Sequence, residues 1–379
     1  MLSAWLARLE KVHLARTPAE REAIFRFRYM VYVEELGKTV AEADVTRKWI
    51  KDPEDDAPET LLYYTGSTAQ VTGALRLQIW APGKVPAPFR EHYALELFPD
   101  IDRCTVAETS RLMVHKGLRS RLVVAAMMRA AYLKTTEDRT PVISFGYCAP
   151  GLLRAYRRLG ARPYGARLIY GHDGVRIPIA TIACDVEFLK KVDSPLLALA
   201  RERYGQGAEG FDVARYAHLF DDRSVTSDAN EVWEQVEEAF SRARKEEPTF
   251  LQGVSAEAVK RIAEKGLSLE LAAGETVTRA ELLEQEIFLI LEGTFEVVSK
   301  SGRRIATLQK GDVFGEIAFF REIGRRSASV RSVTPGKIVV LRRRFLEELA
   351  NEEPRLALTL TFNLGRILAG RLARIIETP

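Results

Sequence analysis

Apolar and polar positions along the chain change their period several times, and each change marks an element. Residues Pro18–Glu35 repeat their apolar positions at helical spacing and predict a helix. Thr60–Tyr64, Val71–Ile79 and Thr105–Val114 are apolar, β-branched runs that predict strands. Leu118 to Lys134 returns to a helical period, and Pro141–Tyr147 has the short β-branched and aromatic pattern of a buried strand. Pro150–Leu159 predicts a helix that opens near a proline and stops at Gly160. Arg167–Tyr170 and Arg176–Asp185 predict strands around the turn signal Gly171-His172-Asp173-Gly174. Leu2, Trp5, Leu6, Leu9 and Val12 stand at helical spacing and predict an N-terminal helix packed on its own domain. Strands and helices mixed in this order predict an α/β (α+β) domain, a mixed sheet flanked by helices.

Beyond residue 220 the pattern changes twice. Residues 221–247 hold nine acidic and four basic residues, a net of −5. Val225–Asn230 is polar, and Glu231–Lys245 reads as a charged helix, so 221–248 is assigned as a linker. From 249 onward, short alternating runs at Glu286–Val298, Arg304–Leu308, Ala328–Val333 and Lys337–Leu341 are separated by glycine turns, with helical segments at both ends. That pattern predicts a C-terminal β-roll (jelly-roll) with flanking helices. The expected organisation is a first domain over 1–220, a linker over 221–248 and a second domain over 249–379.

Composition narrows the classes. A chain of 379 residues exceeds one ordinary core, and 46% hydrophobic with 28% charged residues is globular usage. A net charge of +4 argues against a dedicated nucleic-acid binder. Cys104, Cys148 and Cys184 are odd in number and widely spaced, which argues against a disulfide framework and fits a reducing compartment. No apolar run approaches the ~18 residues of a membrane span, and the N-terminus carries charges throughout. A cytoplasmic protein with no transmembrane segment is expected. The five histidines are scattered without metal-ligand spacing, so no metal is expected.

The most specific string is Gly311-Asp312-Val313-Phe314-Gly315-Glu316-Ile317-Ala318-Phe319-Phe320, followed by Arg325-Arg326-Ser327-Ala328. A glycine turn leads into a short helix whose exposed N–H groups can hold an anion. Glu316 can accept from hydroxyls, and an arginine ten residues later can return to neutralise a phosphate. A carboxylate and a guanidinium around one loop suit a ligand with both a sugar diol and a phosphate. This string resembles the phosphate-binding cassette of cyclic nucleotide-binding domains, over about residues 249–377. The resemblance implies that Glu316 and the Gly315 backbone hold the ribose 2′-hydroxyl. It also implies that Arg326, Ser327 and the amides of Ile317 and Ala318 hold the cyclic phosphate. The helix Pro354–Ile376 would close over the base, with Arg366, Arg371 and Arg374 as capping residues. The effector expected is a cyclic nucleotide, cAMP ranked ahead of cGMP. A homodimer is allowed for.

Three constellations carry the chemistry of the first half. In Val106-Ala107-Glu108-Thr109-Ser110-Arg111, Glu108 alternates with hydrophobic neighbours along a strand, an apolar setting that suits a general base for an amine. In Lys116-Gly117-Leu118-Arg119-Ser120-Arg121, Arg119 and Arg121 at a helix start suit a phosphate-bearing cofactor. In Ser144–Ala161, a strand runs into a helix carrying Tyr156, a candidate to protonate a leaving thiolate. Residues 100–170 hold 13 Lys/Arg and five Asp/Glu, a basic stretch that suits an acidic cofactor or carrier.

Together these resemble the GNAT acyltransferase superfamily over about residues 15–185. The branch most similar comprises the acyl-homoserine-lactone synthases and N-acyl amino acid synthases. The matching residues are Arg28-x-x-x-Tyr32, Asp52-x-x-Asp55, Gly73-Ala74-Leu75-Arg76-Leu77 and Glu108-Thr109-Ser110-Arg111. The resemblance implies that Arg28, Arg76 and Arg111 shape the amine-substrate pocket and that Glu108 is the base. The tryptophan that this branch carries after its early arginine is missing, and Lys38 stands near its place. Glycines of the common acetyl-CoA loop are replaced by Leu122 and Val124, which hinders a close wrap around CoA pyrophosphate. An acyl-carrier-protein donor is therefore expected first and acyl-CoA second, with acyl carrier protein as partner and a small-molecule amine as acceptor. Met127 and Met128 on the apolar helix suit an acyl tunnel or core packing. The function expected is a cyclic-nucleotide-regulated N-acyltransferase. The alternatives are a cAMP-regulated, acetyl-CoA-dependent protein lysine acetyltransferase and a non-catalytic nucleotide sensor.

Overall fold

The computed structural model describes residues 11–36, 40, 42–115, 121–165, 169–171, 174–205, 207–208, 210–220, 225–226, 234, 236, 249–281, 286–321 and 325–377. The chain forms two compact units. The first takes Met1–Cys148, Leu152–Leu168 and Ile177–Asp222, and the second takes Ala149–Gly151, Ile169–Arg176 and Arg223–Pro379.

The first unit starts with β1 (Val12–Leu14), which pairs antiparallel with β4. The predicted N-terminal helix is thus corrected at Val12, which lies on a strand; residues 1–10 lie outside the described residues. Helix α1 (Pro18–Tyr29) opens on a capping box between Thr17 and Glu20. It does not continue as α-helix to Glu35. Met30–Glu35 widens into a π-helix, with the Leu36 amide reaching the Val31 carbonyl at 3.0 Å. Short strands β2 (Ala43–Asp44) and β3 (Trp49–Ile50) pair with each other. Then follow β4 (Thr60–Gly66), β5 (Val71–Trp80), α2 (Ala87–His92), β6 (Thr105–Val114), α3 (Arg121–Thr135) and β7 (Val142–Cys148). A 3₁₀ turn at Pro150–Leu152 runs into α4 (Leu153–Arg158), which stops at Gly160 with φ +96°. The chain continues through β8 (Arg162–Pro163), β9 (Ile169–Gly171), β10 (Gly174–Ile182), α5 (Val186–Lys191) and α6 (Leu197–Tyr204), of which β9 and the first residues of β10, Gly174–Arg176, fall in the second unit.

The sheet runs β1-β4-β5-β6-β7-β10-β8, with β9 paired to β10. Its pairs are antiparallel except β6–β7, which are parallel and joined by α3, as a parallel crossover requires. Leu75, Leu77, Ala107, Val123, Met127 and Ala131 pack α3 onto one face. Tyr93, Phe98, Val106, Ile143, Phe145 and Tyr164 belong to a second core. No helix among the described residues is long and apolar enough to cross a membrane.

In the second unit, β11 (Val225–Thr226) pairs with β12 (Leu267–Leu271). Val236 is buried in the same core as Phe250, Ile262 and Leu360. The segment read as a linker thus contributes a strand and a core residue to this unit, because Val225–Thr226 pairs with β12 and Val236 packs in the core, partners that a local reading of charge does not reveal; the rest of the charged helix read there lies mostly outside the described residues. Helix α7 (Ala256–Lys265) precedes β12, and β13 (Thr276–Thr278) follows it. The long predicted strand at 286–298 is two strands, β14 (Glu286–Glu292) and β15 (Phe295–Val298). Gly293 breaks it at φ +88°, where a Cβ would lie 2.7 Å from the Pro335 carbonyl oxygen. Then come β16 (Arg304–Leu308), β17 (Val313–Phe314), α8 (Glu316–Phe320), β18 (Ser329–Ser332), β19 (Gly336–Arg342), α9 (Arg343–Glu352) and α10 (Pro354–Glu377). The two sheets, β11-β12-β19-β14-β17 and β13-β18-β15-β16, make the β-roll. Phe314 lies 4.7 Å from Phe288 of its own sheet and 6.2 Å from Phe295 of the other, ring centre to ring centre.

Candidate functional site

β6 and β7 pair from Thr105–Val142 to Glu108–Phe145 and no further, although both strands continue. They part directly past Glu108. On its other side, β6 leaves register with β5 between Ala74 and Arg76, where Arg111 adopts φ +52°. A bulge turns backbone groups out of the ladder, and a non-glycine residue holds a left-handed conformation only where its surroundings impose it. Its side chain is held by Asp52: Arg111 donates from Nε at 2.7 Å and Nη2 at 2.5 Å to the two carboxylate oxygens.

Asp52 also accepts from Arg76 at 3.0 Å and Arg28 at 3.4 Å. Arg28 grips Asp55 with both terminal nitrogens, at 2.6 and 3.0 Å. Burial pushes the Asp52 carboxyl up, but the Arg111 hydrogen bonds and the charges of Arg111, Arg28 and Arg76 outweigh it and hold it below the ordinary carboxylate range. Arg28 has no exposed surface. It braces Asp52 and Asp55. Arg76 and Arg111 remain at the cluster's edge, and Arg111 lies 5.4 Å from the Tyr32 ring, which the π-helix presents.

Glu108 is buried at 7% exposure. It accepts from the Tyr93 hydroxyl at 2.7 Å and from Ser110 at 3.3 Å, and Arg76 stands 3.9 Å away. Burial and the Glu108 charge push the Tyr93 hydroxyl well above its usual range, so it stays a proton donor to that carboxylate. Tyr93 follows α2, fifteen residues before Glu108, and no local spacing links the two. Local sequence patterns carry no signal for this partner.

The helix-covered face at the same parting of strands is apolar. A cavity of about 60 Å³ is lined by Leu77, Met128, Tyr132, Val142, Gly146, Ile179 and Leu196, with Tyr156 and Tyr147 among its residues. Thr109 and Ser144 line it too, their hydroxyls 3.1 Å apart across the two strands. Tyr156 is half-buried on α4. Met127, by contrast, packs in the core. Lys116–Ser120, with Arg119, lies outside the described residues, as do Lys38 and the side chain of Arg121. Among the described residues no group of His, Cys, Asp and Glu is arranged to hold a metal ion.

In the second unit, Gly315 turns the chain at φ +93° between β17 and α8. Arg326, 3% exposed, comes back to that turn. It donates to the Gly315 carbonyl at 3.1 Å and the Glu286 carbonyl at 2.9 Å, and its guanidinium lies 5.1 Å from the Phe288 ring. Glu316, 4% exposed, accepts from Arg371 of α10 at 2.6 Å. Arg371 also donates to the Val313 carbonyl at 2.6 Å. Glu316, Arg326, Arg371, Gly315, Ile317, Ala318 and Ser327 line one cavity of about 70 Å³. A buried carboxylate and a buried guanidinium on one cavity fit a ligand carrying hydroxyls and a phosphate. Of the three capping arginines named from the sequence, Arg371 is the one that lines it.

No curated protein matches the chain. Solved structures similar to its C-terminal part include a cyclic nucleotide-binding domain from Methylobacillus flagellatus KT (20% identity, 40% of this chain and 85% of that one, TM-score 0.35). Another is the catabolite activator protein of Thermus thermophilus (25% identity, 33% of this chain, TM-score 0.30), of whose length the match spans 59%. A third is the N-terminal domain of a transcriptional regulator from Streptomyces coelicolor A3(2) (21% identity, 33% and 90%, TM-score 0.29). Residues 268–353 match the family model of the cyclic nucleotide-binding domain, and residues 23–185 match that of the N-acyl amino acid synthase FeeM. The chain therefore joins an N-acyl amino acid synthase FeeM domain to a C-terminal cyclic nucleotide-binding domain.

Proposed function

We propose that the chain transfers an acyl group from a thioester to a small-molecule amine, an amino acid or a near relative. Acyl carrier protein is the first choice of donor and acyl-CoA the second. A cyclic nucleotide, cAMP ahead of cGMP, binds the second unit and sets the rate. One observation carries the reading: β6 and β7 part directly past Glu108, with an ionic cluster beside that residue and an apolar cavity across the parting.

The carbonyl carbon sits between the parted strands. The amine nitrogen attacks it as Glu108 takes up the amine proton. Backbone amides freed by the β6 bulge face the carbonyl oxygen as it gains charge. The carbon–sulfur bond breaks, and Tyr156 protonates the departing thiolate. Arg76 and Arg111 border the amine side and suit a carboxylate on the acceptor. In the second unit Arg326 and Ser327 would hold the cyclic phosphate and Glu316 the ribose hydroxyl.

The test supplies full-length protein with acyl carrier protein thioesters and acyl-CoA, a mixture of amino acids, and either nucleotide or none. Mass spectrometry should find N-acyl amino acids, and Glu108→Gln should lower kcat by about 10²–10⁴-fold. No product from any donor overturns the transfer reading. Product formed at one rate with and without each nucleotide overturns the control reading.

A further inference from the structure

The core that contains Phe98 and Phe145 holds five buried tyrosines among the described residues. Four of them, Tyr132, Tyr164, Tyr204 and Tyr216, donate to backbone carbonyls, those of Ala183, Tyr93, Thr140 and Pro99. That is the ordinary use of a buried phenol: taken from water, its hydroxyl needs one acceptor, and a carbonyl serves. Tyr93 differs, because its hydroxyl donates to a carboxylate, to Oε1 of Glu108 at 2.7 Å. Tyr93 is 1% exposed and its ring is fixed. Phe89 lies 4.5 Å away, Phe145 5.8 Å and Tyr147 6.1 Å, ring centre to ring centre, and its own carbonyl accepts from Tyr164 at 2.8 Å. Glu108 is the softer partner. The last torsion of a glutamate is broad and roughly two-fold, so packing alone does not decide which oxygen points where. The two oxygens are held differently. Oε1 takes the short bond from Tyr93. Oε2 takes Ser110 at 3.3 Å with Arg76 Nη2 at 3.9 Å, and Ser110 in turn accepts from Arg76 Nε at 3.0 Å.

Resting on the transfer reading above, we propose that Tyr93 is a positioning residue: it reserves Oε1 of Glu108 and leaves Oε2 to take the amine proton. As the nitrogen lone pair forms the bond to the carbonyl carbon, the N–H bond breaks and its proton passes to Oε2. Tyr93 keeps its own proton throughout. Burial and the Glu108 charge hold the Tyr93 hydroxyl well above its usual range, which agrees with that division of work. The bond from Tyr93 favours the charged carboxylate. So does Arg76 from β5, whose charge is shared with Asp52 and Glu54. Ser110 from β6, and His92 and Tyr147 beside the Tyr93 ring, face the pair as well.

The experiment compares full-length Tyr93→Phe, verified as folded by its melting curve, with the unsubstituted chain, using the thioester and amino acid that give most product. kcat should fall about 10–100-fold at unchanged KM for the amine, because a misplaced catalytic group costs that order. The acid limb of kcat/KM should move up by about one pH unit, because the lost hydrogen bond favoured the charged carboxylate. Fluorotyrosine at position 93 keeps the ring and donates more strongly, and it should move the limb down. Tyr164→Phe removes an equally buried hydroxyl beside Tyr93 and is the control for packing; it should leave the limb in place. A limb that neither replacement at position 93 moves, a loss confined to KM, or the same displacement in Tyr164→Phe overturns the proposal. A double-substitution cycle of Tyr93→Phe with Glu108→Ala, read by denaturant unfolding, tests the contact without turnover. It should show a coupling of at least about tenfold in the folding constant, and no coupling overturns the proposal. Coupling with no transfer from any donor overturns the transfer reading, and the role of Tyr93 falls with it. Transfer that Tyr93→Phe leaves at full rate overturns the role of Tyr93 alone.

Discussion

Asp52 is 3% exposed and accepts hydrogen bonds from three guanidinium groups, Arg28, Arg76 and Arg111. Its carboxyl is held below the usual range in the folded chain, so its contribution to stability is fully present above the unfolded value of about 3.9 and is lost as pH falls through the lower folded value. Asp52→Asn should cost about 3–5 kcal/mol at neutral pH, because buried arginines lose their counter-charge. Denaturant titration from pH 7 to pH 2 should give a shallower acid loss in the variant. An unchanged acid limb would mean that Asp52 does not link pH to folding. Cys104 and Cys184 illustrate the opposite outcome at single-residue scale. Burial pushes both thiols up to about 12, so they pack as small apolar groups. The motif Asp52-x-x-Asp55 was legible in the sequence, but its partners were not: Arg111 lies 59 positions away from Asp52, and only the sheet brings them together.

The turn between β17 and α8 shows how an element is built around a conformation. Gly315 sits at φ +93°, and a Cβ there would lie 2.5 Å from Arg326 Nη1 and 2.6 Å from the Glu286 carbonyl oxygen. Gly315→Ala should therefore strain the turn and displace Arg326 together. Cyclic nucleotide affinity, measured by calorimetry, should fall at least about tenfold, as loss of a charge-assisted hydrogen bond of ~1.5–3 kcal/mol implies. Unchanged affinity would show that the turn and the guanidinium are not coupled. β6 makes the same point in reverse. Its limits, Thr105–Val114, follow from alternation in the sequence, whereas its bulge at Arg111 does not, because arginine has no preference for positive φ. The π-helix at Met30–Glu35 was equally hidden: its residues have the same apolar spacing as a continuing α-helix.

For the molecule as a whole, a ligand that binds only folded protein raises stability by mass action, about 2.7 kcal/mol at a hundredfold excess over Kd. Saturating cAMP should raise the melting transition of the full chain, and Arg326→Ala should abolish the rise. An equal rise in that variant would place the nucleotide elsewhere. The sequence alone determined that there are two kinds of unit, because hydrophobic period is a local property: strand, helix and glycine-turn patterns change character along the chain and survive any later packing. It also determined the loop from Gly311 to Ser327, whose glycine, acid and arginine are close in the chain. Tertiary structure alone decided that Tyr93 meets Glu108, that Arg28 is walled in, that Arg371 reaches Glu316 and that the Tyr132 hydroxyl reaches the Ala183 carbonyl. Each of those is a contact between distant segments, and its geometry depends on how strands register and where a sheet opens, which no short-range pattern encodes.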